Sequence, residues 1–230
     1  MERVVAVFAP HPDDAEIGMG GTIASLRKQG TRVVIVDLTD GEPTPHGSVE
    51  IRAKETTRAS EILGVIERYN LGIKNREVFD TVENRKKVAN IIRELRPEVI
   101  FVPHWEDAHP DHVQACALVE AARFYAKLVK SDLSFTPHHP RKVFHYFSTH
   151  LRSRFFPSFI VDVSDYLSTK MDAITAYESQ FVTHEGNRRR LLEIENEAKF
   201  WGTQIGVAAG EPFVCRENLR VSSSSAVLDL

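Results

Sequence analysis

Cysteine is scarce in this sequence, with Cys116 and Cys215 the only two among 230 residues. They form no CxxC pair, so the sequence predicts neither a disulfide framework nor a structural zinc site built on cysteines. Cys116 falls in a predicted helix and is expected to be a small buried residue. A bridge between the two cysteines is left open at this stage.

Long apolar runs are also lacking. No stretch approaches the roughly 20 residues that a membrane-spanning helix needs. The first residues lead into a strand-like run without a signal-peptide pattern. The expectation is therefore a cytoplasmic protein that does not associate with membranes.

An excess of charge of one sign is absent as well, with a formal net charge of −3. The basic run at residues 188–190 is short and typical of a solvated helix face. The charge pattern therefore gives no support for binding to nucleic acid or to an anionic membrane. With 42% hydrophobic content, the 230 residues suit one α/β domain, residues 1–230, with a full core.

What the sequence does contain is a regular alternation of strand and helix patterns. Strand patterns occupy residues 4–8, 33–38, 65–69, 99–102, 142–148 and 159–163, and helical patterns occupy residues 17–30, 49–63, 88–95, 112–129, 164–181 and 187–202. This alternation predicts an α/β fold with a Rossmann-like, mainly parallel sheet and helices on both faces. The serine-rich residues 222–225 are expected to fray.

Polar side chains follow two of the predicted strands. His11, Asp13 and Asp14 come after residues 4–8, and His109 to His112 follow residues 99–102. The carboxyl ends of strands form the binding crevice in open α/β sheets, so the two clusters are expected to converge. His11, Asp14 and His112 then make a set of two histidines and one aspartate, which leaves one position free, as in catalytic zinc sites.

The remaining residues of the clusters have predicted roles in catalysis. Asp13 would lie beside the metal and accept a proton from water, whose pKa zinc lowers from about 15.7 to about 7. His109, if protonated, could stabilise an oxyanion or donate to a leaving amine. Asp111 could hold the ring nitrogen that a ligating or acid–base histidine does not use. The alternative for each cluster is a simple turn, because proline and aspartate are common there.

The two polar clusters resemble the motifs of a known protein family. Pro10-His11-Pro12-Asp13-Asp14-Ala15-Glu16 and His109-Pro110-Asp111-His112 resemble the paired signatures of the LmbE-like (PIG-L) zinc deacetylases. Where the family usually has alanine before the first histidine, this chain has Pro10. The resemblance is greatest to the deacetylases of bacillithiol biosynthesis, which act on N-acetylglucosaminyl-malate. It implies a small N-acetylated amino-sugar substrate and a homo-oligomer, for instance a hexamer. The same ligands could also hold iron or manganese.

The resemblance also makes Arg52 a candidate substrate-binding residue, because a guanidinium fork suits a carboxylate such as that of malate. The alternative for Arg52 is an ion pair with a nearby glutamate. Asp40 and Trp105 are weaker candidates for the pocket, since Asp40 could close a turn and Trp105 could anchor a loop. Arg152 and Arg154 could reach an anionic substrate. The rival functions are deacetylation of another glycan such as diacetylchitobiose, an amidase for a thiol conjugate, and a metal-binding or nucleotide-binding module without turnover.

Overall fold

The computed structural model describes residues 3–148, 150–151, 155–183 and 185–220. Its strands are β1 (Val4–Ala9), β2 (Arg32–Asp37), β3 (Glu67–Asn70), β4 (Val99–Pro103), β5 (Lys142–Tyr146), β6 (Phe159–Asp162) and β7 (Gly210–Val214). Its α-helices are α1 (Asp14–Lys28), α2 (Val49–Leu63), α3 (Val82–Leu95), α4 (Pro110–Ala126), α5 (Leu167–Thr175), α6 (Glu178–Phe181) and α7 (Glu185–Gln204). Arg152, Arg154 and residues 222–225 lie outside the described residues, and so do the predictions made for them.

The seven strands form one sheet in the order β3-β2-β1-β4-β5-β7-β6. The first five strands in that order run parallel to one another, while β7 is antiparallel to both β5 and β6. The chain starts at β1 and builds the sheet outward on both sides of it. The carboxyl ends of β1 and β4 are therefore neighbours at the point where the strand order reverses, which is where α/β sheets form their binding crevice.

Helices cover both faces of the sheet, as the sequence predicts. On β1, Val5 and Val7 point into a core shared with α1, α2 and α5. Ala6 and Phe8, which alternate with them, point into a second core shared with α3 and α4. A strand that is buried on both faces is apolar throughout, and this accounts for the continuous apolar run at the start of the chain.

The glycines that follow the first polar cluster serve packing. A Cβ atom added to Gly18 would lie 2.2 Å from Cδ2 of Tyr146, and one added to Gly21 would lie 2.7 Å from Cβ of Val163. Such distances are shorter than van der Waals contact, so α1 could not approach its neighbours this closely with larger residues.

The carboxyl-terminal part differs from the sequence prediction in two respects. The predicted helix at residues 164–181 is divided into a 3₁₀ turn at Ser164–Tyr166, then α5 and α6. The strand β7 was not predicted, because Gly210 and Pro212 are residues that sequence patterns assign to loops. Among the described residues, no helix is both long and apolar enough to cross a bilayer.

Candidate functional site

The two polar clusters meet at the carboxyl ends of β1 and β4. The Nδ1 atom of His11 lies 3.2 Å from Oδ2 of Asp14, and Nε2 of His112 lies 3.3 Å from Oδ1 of the same aspartate. One ligand atom from each of the three residues lies within 4.8 Å of those of the other two. The structure thus brings together the three predicted metal ligands, and this donor set is one that zinc, iron and manganese can all use.

Each histidine of this triad has its second ring nitrogen against a carboxylate. Nε2 of His11 lies 3.1 Å from Oδ2 of Asp111, and Nδ1 of His112 lies 2.8 Å from Oδ2 of Asp107. Metal-binding histidines usually make such a contact, which fixes the ring orientation and directs the other nitrogen to the metal. Asp111 lies where its predicted role requires it.

Asp107 is a residue that the sequence analysis missed as part of the metal centre. Its Oδ1 atom accepts two hydrogen bonds of 3.0 Å, from the backbone N–H groups of His109 and His150, while Oδ2 faces His112. Asp107 thereby ties the loop after β4 to the start of α4. Its spacing of five residues from His112 matches no common motif, so only the folded loop shows the connection.

The electrostatics of the triad reflect this packing. Burial alone lowers the pKa of His11, but hydrogen bonds to Asp111 and Asp14 raise it to about 9. Burial also lowers the pKa of His112, and the charge of Asp14 and the contact with Asp107 raise it to about 10. Burial favours protonation of Asp14, yet the charges of the two histidines hold its pKa well below the usual range. The site therefore strongly favours positive charge next to Asp14, which a divalent cation supplies when it displaces the ring protons.

Asp13 lies beside the triad in an unusual backbone conformation. Its φ angle is 114°, a left-handed value that costs a residue with a Cβ atom about 1–3 kcal/mol. Burial raises the pKa of the Asp13 carboxyl to about 7, although the positive charge of Arg52 opposes this shift. A carboxyl group with a pKa near neutrality is suited to accepting and returning a proton.

The guanidinium group of Arg52 is buried and does not face solvent. Arg52 is 3% exposed, and its Nη1 atom donates hydrogen bonds to the carbonyl oxygen of Pro12 over 2.7 Å and to Oδ2 of Asp13 over 3.0 Å. Its Nε atom lies 3.6 Å from Oε1 of Glu42. Arg52 thus holds Asp13 in place and pairs with a glutamate, while direct contact with substrate remains a prediction. Asp40 accepts the backbone N–H of Glu42, so it closes a turn.

His109 caps the amino terminus of α4. Its Nδ1 atom accepts the backbone N–H of Asp111 over 3.2 Å, so in the neutral ring the proton sits on Nε2. The His109 ring lies 4.8 Å from that of His11 and 4.9 Å from that of His112, measured between centroids. Burial and then the charges of these two histidines lower the pKa of His109. The structure therefore favours a neutral His109 that donates through Nε2, rather than the protonated ring considered from the sequence.

A cavity of about 420 Å³ opens over these residues. Its lining includes four polar residues that the sequence analysis did not single out for the site, which are Asn75, Arg76, Ser148 and Arg190. Oδ1 of Asn75 and Oγ of Ser148 are buried and have no hydrogen-bond partner within the described part of the chain. No sequence signal marks either residue. Trp105 is not in this lining, and instead stacks on His104 at 4.0 Å between ring centroids, which fits a loop anchor.

The comparisons with known proteins agree with this geometry. The family model described as PIG-L, GlcNAc-PI de-N-acetylase, matches residues 6–123, which hold both signatures. This chain belongs to the PIG-L family. The PIG-L chain is 37% identical over 194 residues to the diacetylchitobiose deacetylase of Thermococcus kodakarensis, covering 78% of this chain and 70% of that protein.

Two further similar proteins are a curated relative and a solved structure. The PIG-L chain is 28% identical over 209 residues to the probable N-acetyl-alpha-D-glucosaminyl L-malate deacetylase 2 of Bacillus anthracis, covering 84% of this chain and 88% of that one. Among solved structures, the conserved protein TT1542 from Thermus thermophilus matches with a TM-score of 0.89 and 38% identity, covering 97% of this chain and 99% of that chain. The similarity to TT1542 extends the shared fold well beyond the residues of the family model.

Proposed function

We propose that this PIG-L protein is a metal-dependent N-deacetylase that hydrolyses the acetamide of an N-acetylglucosamine conjugate. The observation that carries the proposal is the position of Asp13 beside the triad of His11, Asp14 and His112. A site that only bound a metal would not need a fourth, non-ligating carboxyl group in a strained backbone conformation. Hydrolysis of an amide does need such a group, because a proton must leave the attacking water and later reach the departing nitrogen.

Zinc is the metal we propose, with iron or manganese as alternatives that the same ligands could hold. When bound, the metal would lower the pKa of water and polarise the amide carbonyl. Asp111 and Asp107 would keep the rings of His11 and His112 oriented for this task through their contacts of 3.1 and 2.8 Å.

The protein's own groups would move the protons. Asp13 would take a proton from the attacking water, and Arg52 would keep its carboxylate oriented through the 3.0 Å hydrogen bond. His109 would donate from Nε2 to the oxygen that becomes negative in the tetrahedral intermediate. Collapse of that intermediate breaks the C–N bond, and the proton that Asp13 took from water is returned to the nitrogen to complete the free amine, because a neutral His109 that gave up its Nε2 proton would be left as an imidazolate. The products are acetate and an amino sugar.

The aglycone we propose is malate, as the sequence resemblance implies, with a second N-acetylglucosamine as the other candidate. An anionic aglycone is supported by Arg190 at the cavity, whose side chain is 33% exposed and whose ion pairs to Glu193 and Glu197, among the described residues, are long at 3.4 Å each. Because Arg52 is buried, Arg190 is the better placed carboxylate partner. The second-sugar candidate is favoured by the 37% identity to a diacetylchitobiose deacetylase. Asn75 Oδ1 and Ser148 Oγ, which have no partner among the residues that the structure describes, suit sugar hydroxyls in either case.

Amine release from three substrates tests this proposal. The zinc-loaded protein would be given N-acetylglucosaminyl-malate, diacetylchitobiose and N-acetylglucosamine, each as a separate arm. A preference for the malate conjugate that falls in Arg190→Gln, but not in Arg189→Gln, supports the anionic aglycone. A preference for diacetylchitobiose that is unchanged by Arg190→Gln assigns the second sugar instead. If no arm releases amine while zinc remains bound, the deacetylase proposal is wrong for these substrates.

A further inference from the structure

Three potential metal ligands meet at a second place, between α4 and β5. Cys116 and Glu120 lie one turn apart on α4, and His145 lies on β5. The Cys116 Sγ atom, a Glu120 carboxylate oxygen and a His145 ring nitrogen all lie within 4.8 Å of one another. The ligand atoms of His11, Asp14 and His112 lie within the same distance of one another. From the sequence, Cys116 is expected only to be a small buried residue, and no role is predicted for His145.

The contacts of His145 suggest that something is to be bound between it and Glu120. Nδ1 of His145 lies 3.2 Å from the carbonyl oxygen of Val214, and Nε2 lies 3.0 Å from Oε1 of Glu120. A neutral imidazole has one N–H group and can satisfy only one of these two acceptors, whereas an imidazolium, or a neutral ring with a metal at Nε2, satisfies both. A cation between Nε2 and Oε1 would resolve this, and Nδ1–H donating to a backbone carbonyl is the contact that a ligating histidine usually makes.

The surroundings leave the other ligand atoms available. Glu120 accepts a hydrogen bond from Nη1 of Arg216 at Oε2 over 2.9 Å, which leaves Oε1 directed at His145. The Arg216 guanidinium lies 4.2 Å from the centroid of the Trp105 ring, and that ring packs edge-on against His145 at 4.8 Å. Arg216 is half exposed and the Glu120 side chain is 28% exposed, so solvent reaches this side of the group while Cys116 and His145 are buried.

We propose that Cys116, Glu120 and His145 form a second divalent-metal site, of the thiolate, imidazole and carboxylate type that suits zinc. Soft and borderline metals prefer sulfur and imidazole donors, and three protein ligands leave a fourth position for water. Binding replaces the S–H bond of Cys116 by a sulfur–metal bond and releases the thiol proton to solvent. Burial raises the pKa of Cys116 to about 12, so the thiol carries this proton at neutral pH until a metal displaces it.

The site would link the two metal centres through one helix. His112, Cys116 and Glu120 follow one another at intervals of four residues on α4, and each interval is about 6 Å along the helix axis. A metal held by Cys116, Glu120 and His145 would tie the second and third turns of α4 to β5. The first turn, which carries His112, would then be held in position by the turns that follow it.

Cobalt substitution tests the proposal without any measurement of activity. The full chain would be stripped with a chelator, dialysed and titrated with Co²⁺ while its absorption spectrum is recorded. A thiolate–cobalt bond gives a near-ultraviolet charge-transfer band, which the ligands His11, Asp14 and His112 cannot produce because they contain no sulfur. We expect this band and two cobalt ions per chain, with more protons released on full loading than from Cys116→Ser, which lacks the thiol.

The matched controls separate the two sites and the two cysteines. Cys116→Ser should lose the band and one cobalt ion, while Cys215→Ser should keep both. His11→Ala should keep the band, since it alters only the catalytic triad. If Cys116→Ser does not fold, as judged by circular dichroism, Glu120→Gln provides the same test through a weakened or shifted band. Wild-type protein that binds cobalt without the band would overturn the proposal and leave the three residues as a buried polar network.

Discussion

Arg52 donates a hydrogen bond of 3.0 Å to Asp13, and both side chains are largely buried, with 4% of the Arg52 side chain and 16% of the Asp13 side chain exposed. The same Nη1 atom also donates to the carbonyl oxygen of Pro12. Arg52, on α2, is therefore fastened to the turn between β1 and α1 at the residues next to the triad. This relationship suggests that Arg52 acts on catalysis through Asp13, and it leads to the first two predictions.

Replacing Asp13 by asparagine should abolish proton acceptance and leave the metal ligands in place. We expect the deacetylation rate to fall by roughly 10²–10⁴, the range for loss of a general base. Metal content, measured by elemental analysis, should stay at the wild-type level. A near-wild-type rate with full metal content would exclude Asp13 as the base.

Replacing Arg52 by glutamine should reduce kcat more than it raises KM, because the side chain orients Asp13 rather than presenting itself to substrate. A guanidinium that bound the substrate directly would show the opposite pattern, with KM raised for an anionic conjugate and unchanged for a neutral one. Steady-state kinetics on the malate conjugate and on diacetylchitobiose distinguish the two. Arg58→Gln, an exposed residue on the same helix, is the matched control.

Asp107 and Asp111 should each contribute to metal affinity without touching the metal. Loss of such a supporting carboxylate typically weakens metal binding by about 10–100-fold. Asp107→Asn and Asp111→Asn should therefore release zinc to a competing chelator at lower chelator concentration than wild type. Asp165→Asn, at an exposed position far along the chain, should behave like wild type. Unchanged affinity in both variants would contradict the assignment of these residues as supports of His112 and His11.

Cys116 should remain protonated and unreactive in metal-free folded protein. With its pKa raised by burial from 9.0 to about 12, iodoacetamide at pH 8 should label the half-buried Cys215 first and Cys116 only on unfolding. The stability that this thiol contributes is fully present below its unfolded pKa. Between about pH 9 and pH 12 the unfolded chain loses the proton and the folded chain keeps it, so the free energy of unfolding should fall as pH rises. Cys116→Ala should remove that part of the pH dependence, and rapid labelling of Cys116 in the native state would contradict the prediction.

Gly18 should tolerate no side chain. An alanine Cβ there would lie 2.2 Å from the ring of Tyr146, whose hydroxyl is held by a hydrogen bond to the carbonyl of Phe8. Overpacking of this kind costs about 1–3 kcal/mol. Denaturant unfolding of Gly18→Ala should show a lower midpoint than wild type, while Gly186→Ala, where a Cβ meets nothing within 4 Å, should not.

The sequence by itself determined the fold class and the triad. Apolar runs ending in polar clusters identify parallel strands and the edge where their side chains meet, and two such clusters were enough to predict His11, Asp14 and His112 as neighbours. These features are local, since each depends on a few consecutive residues and on the general geometry of α/β sheets. The family motifs added the expected chemistry.

Only the tertiary structure decided which partners those residues have. Asp107 supports His112 because of the path of the loop after β4, and Arg52 turns inward because α2 packs beside the first turn of α1. The antiparallel β7, with its glycine and proline, forms only because β5 and β6 offer it hydrogen bonds. The contact of Cys116 and Glu120 with His145 joins a helix to a strand that lies about 25 residues away in the chain. Such contacts depend on how elements pack, and no local pattern in the sequence records them.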